Sequence, residues 1–322
     1  MEPAVKLSHP VLQALRCPVC ASKLEKSGDI YRCTNPNDNS AFPIVNGIPV
    51  FINESNSVFT ISDFTQQCST YFDLKPKSRL KKAVRKLLPN ISGNIKGKKN
   101  YKKLGEMLVH RSENPRVLVL GGSIIGQGME PLFAYPSIEF VETDVSFGPR
   151  TQLICDGHDI PFENDSFDAV IAQAVLEHVV DPYRCVEEIH RVLKPNALVY
   201  AETPFMQQVH GGRYDFTRFT HLGHRRLFRM FTEVASGAVC GPAMALAWSY
   251  QHFLVSLAGR GKARAIAALF ATYTAWYLKY LDYILIDRPA ARDAASGCYF
   301  IGTKSDTPLP DRELLQLYSG AL

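Results

Sequence analysis

Three cysteines near the start of the chain have the residue type and spacing of metal ligands. Cys17, Cys20 and Cys33 follow the pattern C-x2-C-x12-C. In the C-P-x-C turn, backbone amides point at the sulfurs and stabilise thiolates that can bind Zn²⁺. The short strands expected around them bury little surface alone, so a metal would contribute to their stability.

A second group of polar residues follows apolar runs in the middle of the chain. The run 116–120 (RVLVL) ends in Gly121-Gly122-Ser123, and Asp144 closes a second apolar run. A glycine turn between a strand and a helix lets the backbone approach a ligand closely, so we expect a helix after Gly126 or Gly128. An acid at the end of the second strand is where such folds bind a ribose. The G-x-G-x-x-G pattern of nicotinamide enzymes does not occur here.

The elements that position these residues alternate between short apolar runs and amphipathic segments from residue 115 onward. This alternation predicts strand–helix–strand units and a parallel sheet. A helix is expected over Pro182–Leu193. Strands are expected over Arg116–Leu120, Ile138–Val141, Leu153–Cys155, Phe167–Ala172, Ala197–Glu202 and Tyr299–Thr303.

Three ordered phrases carry a family resemblance. Residues 156–170 read DGHDIPFENDSFDAV, residues 175–179 read VLEHV, and residues 191–196 read RVLKPN. They resemble the class I S-adenosylmethionine-dependent methyltransferases of the type 11-like group, over roughly residues 115–235. The resemblance implies an α/β fold: a Rossmann-like, seven-stranded methyltransferase sheet with helices on both faces.

The resemblance also implies where S-adenosylmethionine binds. The turn passes beneath its methionine part, Asp144 accepts hydrogen bonds from its ribose, and Asp156 meets the adenine edge. The implied cofactor-binding residues are Gly121, Gly122, Ser123, Asp144, Asp156, Gly157, His158, Gln173 and Ala174. Two positions depart from the family pattern: Val119 replaces its usual acid, and two isoleucines interrupt its glycines.

The front segment resembles the Trm112-like zinc-ribbon modules, which share a phrase like the FPIVNGIP of residues 42–49. That family has a second C-x-x-C pair, and here Pro36 occupies the position of the fourth cysteine. The open alternatives for the fourth ligand are Asn37, Asp38 and His9. The other alternative is a ribbon that has lost its metal and keeps Cys17, Cys20 and Cys33 as small buried hydrophobes.

The segment after the fifth strand of the large domain is similar to a subgroup of bacterial methyltransferases with an H-x-x-x-Y-D-Y-x-R-Y-T phrase. His210 is the expected general base, because an imidazole accepts a hydroxyl proton near neutral pH. His178 is the alternative base, and Asp215 is the third catalytic candidate. In the alternative interpretation these residues are structural, and hydrogen bonds among Tyr214, Asp215 and Arg218 hold the loop together. A helix is expected after Thr220, with an apolar face of Leu222, Leu227, Phe228 and Phe231.

Charge and hydropathy locate two further segments. Residues 75–103 contain twelve Lys or Arg and no acid. This predicts a solvated linker with a basic amphipathic helix (Leu80, Val84, Leu87, Leu88) or, alternatively, contact with a membrane surface, nucleic acid or an acidic substrate.

Residues 242–286 are apolar, but Lys279 and Asp282 argue against a membrane span. We expect a helical lid or homodimer face there, or a peripheral contact with a lipid-linked acceptor.

These observations predict a zinc-ribbon-like module over 1–60, a basic linker over 61–112, a methyltransferase domain over 113–241 and 296–322, and a helical insertion over 242–295. No secretory leader is visible at the start, which favours a cytoplasmic protein with reduced cysteines. The predicted activity is methyl transfer to a hydroxyl of a small molecule or glycan. An RNA methyltransferase and a non-catalytic binding protein are the alternatives.

Overall fold

The computed structural model describes residues 7–68, 70 and 89–321. The predicted basic helix with Leu80, Val84, Leu87 and Leu88 lies outside these residues. The end of the basic segment, by contrast, enters a described helix that begins at Gly97.

Eleven strands form one sheet in the order β1-β2-β3-β4-β7-β6-β5-β8-β9-β11-β10. Their bounds are β1 Leu24–Ser27, β2 Ile30–Cys33, β3 Ala41–Val45, β4 Ile48–Phe51, β5 Arg116–Leu120, β6 Glu139–Asp144, β7 Leu153–Cys155, β8 Phe167–Gln173, β9 Leu193–Pro204, β10 Phe231–Cys240 and β11 Gly297–Lys304. Strands β5 to β9 pair in parallel. Strand β11 pairs antiparallel with β9 and with β10. The seven strands from β5 onward form the Rossmann-like arrangement that the sequence predicted.

The helices of the described chain are α1 His9–Gln13, α2 Ile61–Thr65, α3 Gly97–Arg111, α4 Pro182–Val192, α5 His221–Leu227, α6 Pro242–Leu257, α7 Lys262–Ala275, α8 Leu278–Leu285, α9 Pro289–Asp293 and α10 Asp311–Leu314. Helix α3 packs on one face of the sheet, where Leu104 and Leu108 join a core with Val117 and Ile171. Helix α4 and the front strands share the core of the other face, as Ile189 and Phe42 show. Helices therefore cover both faces, as predicted.

The front module is part of the sheet and not a separate ribbon beside it. Strand β4 pairs in parallel with β7, with Val50 opposite Ile154 and Phe51 opposite Cys155. Both front residues are fully buried. The sheet consequently has eleven strands, four more than the methyltransferase sheet expected from the sequence.

Two elements differ from the sequence predictions. The glycine turn leads only to a short 3-10 helix, Glu130–Ala134, because Gly126 and Gly128 disfavour a helix before it and Pro136 disfavours its continuation. The helix after Thr220 begins as predicted, with the Thr220 hydroxyl accepting from the Gly223 amide at 3.1 Å. It ends at Leu227. Phe231, which the sequence analysis placed on the apolar face of this helix, is instead the first residue of strand β10.

The insertion before the last strand consists of α6 to α9. Asp282, predicted to interrupt an apolar stretch, is buried and accepts from the amides of Ala243 and Met244 at 2.9 and 3.0 Å. It therefore fixes the start of α6 against α8. Among the described residues, no helix is long and apolar enough to cross a membrane. The homodimer contact expected at this insertion stays a prediction.

Candidate active site

A cavity of about 810 Å³ opens at the carboxyl ends of the parallel strands. The ends of five of these strands contribute to its wall, with Gly121 after β5, Asp144 at the end of β6, Asp156 after β7, Gln173 at the end of β8 and Pro204 at the end of β9. Ligands of open α/β sheets bind in this position, because the loops there diverge and leave a crevice.

The first residue of the glycine turn lines the cavity, and the amides of the next two donate hydrogen bonds to the end of β6. Gly121 lines the cavity with φ +69°, and a Cβ there would lie 2.6 Å from Val175 Cγ2. The amide of Gly122 donates to the Thr143 carbonyl at 2.8 Å, and the amide of Ser123 donates to Asp144 Oδ2 at 3.1 Å. Neither Gly122 nor Ser123 is part of the described cavity wall, so their contribution is to orient Asp144.

Asp144 is a buried carboxylate at the cavity wall. Burial raises the pKa of its carboxyl to about 6, although hydrogen bonds from Ser123 act in the opposite direction. At neutral pH the group is therefore ionised and accepts hydrogen bonds. This is the chemistry that a ribose diol, which donates two hydroxyl protons, requires.

Asp156, Gly157 and His158 also line the cavity. His158 Nδ1 lies 2.6 Å from Asp156 Oδ1, while its Nε2 accepts from the Asp181 amide at 3.0 Å. This pair of partners requires the Nδ1–H tautomer. The hydroxyl of Ser57 donates to Asp156 Oδ2 at 2.5 Å. Burial opposes ionisation of Asp156, but the hydrogen bonds from His158 and Ser57 hold its pKa below the usual value.

The cavity floor contains Gln173 and Ala174, both predicted from the sequence. The Gln173 amide donates to the Gln127 carbonyl and to Glu202 Oε2, each at 2.9 Å. Asn94 donates to the same Glu202 oxygen at 2.8 Å, and burial raises the pKa of Glu202. Sequence analysis did not assign Asn94 or Glu202 to the site. The nearest signal was that Glu202 ends a predicted strand beside the Gln173 strand.

Glu177, His178 and His210 form another part of the cavity wall, which is called the acceptor side below. Glu177 Oε1 lies 3.7 Å from His178 Nε2 and 3.8 Å from His210 Nε2, and the two imidazole centroids are 5.0 Å apart. The structure therefore brings both predicted base candidates together around a carboxylate that sequence analysis did not assign. Burial raises the pKa of Glu177 to about 8 and lowers that of His178 to about 4.

Asp215, the third catalytic candidate, lies behind this cluster. Its carboxylate is paired with the Arg218 guanidinium, including a contact of 2.9 Å from Nη2. It also accepts from the amides of His210 and Gly211 at 2.8 and 3.1 Å. Burial opposes ionisation, but Arg218 holds the pKa of Asp215 well below its usual range. These contacts favour the interpretation in which Asp215 and Arg218 fix the loop.

Residues from distant parts of the chain complete the cavity wall. Val58 and Phe59 enter from the front module, and Met244 and Trp248 enter from α6. The Phe59 ring stacks on Tyr214, with centroids 5.5 Å apart. No sequence pattern identified these residues, because each reaches the cavity through a tertiary contact and not through the strand–helix periodicity.

The three predicted metal ligands converge in the front module with one further side chain. Ligand atoms of Cys17, Cys20, Cys33 and Asp38 all lie within 4.8 Å of one another. Cys17 Sγ lies 3.2 Å from Asp38 Oδ2, and Cys20 Sγ lies 3.3 Å from Cys33 Sγ. Among the alternatives Asn37, Asp38 and His9, the structure places Asp38 beside the sulfurs. Three thiolates and a carboxylate are a donor set suited to Zn²⁺.

Comparison with known proteins agrees with this geometry. Residues 134–201 match the family model described as a methyltransferase domain. The chain is 35% identical over 84 residues to an uncharacterized methyltransferase of Mycolicibacterium vanbaalenii, covering 26% of this chain and 32% of that protein. It is 46% identical over 44 residues to a demethylmenaquinone methyltransferase of Clavibacter sepedonicus, covering 14% of this chain and 18% of that protein.

Among solved structures, the chain is similar to Haemonchus contortus phosphoethanolamine N-methyltransferase 2, at 15% identity and a TM-score of 0.39, covering 63% of this chain and 53% of that chain. The chain spans about a third or less of the curated relatives it matches. Sheet order and cavity position define an α/β protein of the Rossmann-like class. Within that class, this chain contains a class I methyltransferase domain.

Proposed function

We propose that this protein is an S-adenosylmethionine-dependent methyltransferase that methylates a hydroxyl group of a small molecule or glycan. The observation that carries the proposal is that the ionised Asp144 and the Glu177–His178–His210 cluster line the same cavity. Asp144 can accept hydrogen bonds from the hydroxyls of a ribose, and the cluster contains a group that can accept a proton.

The cofactor side fits S-adenosylmethionine by the chemistry of its residues. Gly121 lets the backbone approach the methionine part, and Asp144 accepts from the ribose hydroxyls. The backbone at Gly157 and His158 would bind the adenine edge, and Gln173 and Ala174 would line the pocket at the sulfonium. The cofactor, when bound, supplies the methyl group and a sulfur leaving group.

On the acceptor side, this chain must align the hydroxyl and take its proton. In an in-line displacement the acceptor oxygen bonds to the methyl carbon as the carbon–sulfur bond breaks, and sulfur keeps the electron pair. The hydroxyl proton passes to His210 Nε2, which lies at the cavity wall beside Glu177. Gly211 and Gly212 follow His210 and allow the loop to adjust to an acceptor.

The choice of a small-molecule or glycan acceptor is supported by the enclosing wall. Trp248 and Met244 of the insertion and Phe59 of the front module border the cavity. An aromatic ring presents a flat apolar face against which a sugar ring or another compact acceptor can pack. The matched family region, residues 134–201, stops before the acceptor loop and the insertion, so it carries no information about the acceptor.

The front module is proposed to hold one structural Zn²⁺ through Cys17, Cys20, Cys33 and Asp38. The amides of Val19 and Asn35 each lie 3.4 Å from the sulfur of Cys17 and Cys33, respectively. Amide donors of this kind stabilise thiolates in zinc knuckles.

Calorimetry with the full chain and S-adenosylhomocysteine tests the cofactor assignment, and binding with one site per chain is expected. The acceptor is then identified by feeding methyl-labelled methionine to wild-type cells and to cells lacking this gene. A labelled methyl ether that is present in wild-type cells and absent from the deletion cells supports the proposal. Lack of cofactor binding by folded protein would contradict it and favour a non-catalytic role.

A further inference from the structure

Glu177 is a buried carboxyl group that no described residue satisfies with a hydrogen bond. Its side chain is fully buried, and neither of its carboxylate oxygens has a hydrogen-bond partner among the described residues. Burying an unsatisfied carboxyl costs several kcal/mol in general, so proteins seldom leave one without a partner or a ligand. By contrast, the cavity-wall carboxyl groups of Asp144, Asp156 and Glu202 all accept hydrogen bonds from this chain.

The two imidazoles beside Glu177 both direct the same nitrogen toward it. His178 Nδ1 lies 2.8 Å from the Tyr214 carbonyl oxygen, and His210 Nδ1 lies 3.3 Å from the Gln208 carbonyl oxygen. Because a carbonyl only accepts, each Nδ1 carries the proton and each Nε2 carries the lone pair. Backbone carbonyls orient metal-binding histidines in this way.

The spacing within the cluster is long for hydrogen bonds and suitable for a shared cation. Glu177 Oε1 is 3.7 and 3.8 Å from the two Nε2 atoms, and the three ligand atoms all lie within 4.8 Å of one another. Ligands bonded to one cation at about 2.0–2.2 Å lie roughly 3–4 Å from each other. Two histidines and one carboxylate are also a donor set that divalent transition metals accept while keeping positions open.

The surrounding charges permit a cation. Arg218 is the positive group near Glu177, and its guanidinium is paired with Asp215 through both carboxylate oxygens. The pair is neutral overall, and a cation that displaces the proton of the Glu177 carboxyl would be balanced by the charge of that carboxylate.

We propose that Glu177, His178 and His210 bind one divalent cation, such as Mn²⁺ or Zn²⁺, with its open positions toward the acceptor. The inference rests on the proposed methyl transfer and deepens it. A bound cation coordinates the acceptor hydroxyl and lowers its pKa. With the cation bound, the Nε2 lone pair of His210 is used as a metal ligand, so the hydroxyl proton would pass to solvent and not to His210.

Mn²⁺ binding to the full chain, followed by electron paramagnetic resonance, separates this cluster from the cysteines, because Mn²⁺ prefers oxygen and nitrogen donors to thiolates. One bound Mn²⁺ per chain is expected for the wild type and for Cys33→Ser. Glu177→Gln and His210→Ala are expected to weaken it at least about tenfold. His110→Ala, which removes an exposed histidine of α3, is the matched control and should bind normally.

S-adenosylhomocysteine affinity and thermal unfolding are measured on the same samples. The isosteric Glu177→Gln keeps the shape of the side chain, so folded variant protein with normal cofactor binding and lost Mn²⁺ supports the proposal. The proposed cation site is refuted if wild-type protein binds cofactor but takes up no Mn²⁺, or if the Glu177→Gln variant binds Mn²⁺ normally. Either result leaves the methyltransferase assignment intact. Loss of cofactor binding in the wild type would instead contradict that assignment.

Discussion

The cofactor side and the acceptor side of the cavity are held in different ways. On the cofactor side, Asp144 and Asp156 follow buried parallel strands and accept hydrogen bonds from neighbouring backbone and from the front module. On the acceptor side, His210 lies in a loop fixed mainly by its own Asp215–Arg218 pair. One half is therefore braced by the sheet. The other half depends more on contacts made within its own loop.

The first way to sharpen this comparison is to remove the proposed zinc. Asn53 connects the cysteine cluster to the cofactor side of the cavity, because its side-chain amide lies 3.3 Å from both the Pro18 carbonyl and Asp159 Oδ2. We expect Cys33→Ser to lose one Zn²⁺ per chain and to lower stability by several kcal/mol, because zinc supplies on the order of 10 kcal/mol to small zinc modules. Elemental analysis and thermal unfolding provide the measurements.

Cofactor affinity should fall in the same variant, whereas Mn²⁺ binding at the acceptor side should not. Cys68→Ser, which changes an exposed cysteine outside the cluster, is the control. Wild-type protein that is fully folded and free of zinc would show that the Pro36 position abolished the site.

The second prediction concerns the acceptor side alone. We expect His210→Ala to lower kcat by about 10²-fold or more, because the variant lacks the group that receives or activates the hydroxyl. Steady-state kinetics with the identified acceptor measure this, and calorimetry should give an unchanged cofactor affinity. Near-normal turnover would remove His210 from the mechanism, and a parallel loss of cofactor affinity would break the separation of the two halves.

The third prediction concerns the ribose seat. Replacing Asp144 by alanine should weaken S-adenosylhomocysteine binding by about 1–3 kcal/mol, since hydrogen bonds to a charged group are lost. Asp165→Ala, which removes an exposed carboxylate paired with Lys304, provides the control. Equal affinities of wild type and Asp144→Ala would refute the assignment.

The pH dependence of binding gives a related test. The pKa of Asp144 is raised to about 6 by burial, so the carboxyl becomes protonated as the pH falls through 6. Wild-type affinity should be constant between pH 7 and 8 and should decrease below pH 6, because the neutral acid is a poorer acceptor. The Asp144→Ala variant should lack this decrease, whereas a decrease of the same size would assign it to another group.

The smallest effect is expected at the contact between the front module and the adenine loop. Ser57→Ala removes the hydroxyl that donates to Asp156, and we expect cofactor binding to weaken by about 0.5–1.5 kcal/mol. Ser55→Ala, a neighbouring change that leaves this hydrogen bond in place, is the comparison. Equal binding by both variants would show that the front module does not support the adenine loop.

The sequence predicted what depends on local pattern and ordered motifs. The runs at 116–120 and 153–155 form strands because they are apolar and bounded by polar turns. Asp144 and Asp156 reach the cavity because the ends of parallel strands share one edge. These features follow from the chain within a few residues of each position.

What the sequence missed depends on contacts between distant residues. The sequence analysis placed Phe231 in the helix before β10, since this residue also fits helical spacing, and only its pairing with Lys304 on β11 shows that it belongs to a strand. The pairing of β4 with β7 has no local signal. Glu177 belongs to a phrase that carries the family resemblance, but its lack of a hydrogen-bond partner among the described residues is a property of the packed structure.

The parallel pairing of β4 with β7 also sets an order of events during synthesis. Val50 contacts its partner Ile154 about 100 residues later in the chain, and contacts of such sequence separation form slowly. The apolar strand β4 emerges first and has no parallel neighbour until β7 is made. The proposed Zn²⁺, bound by Cys17, Cys20, Cys33 and Asp38, would hold the first hairpins together on the nascent chain until the ribosome adds the strand that pairs with β4.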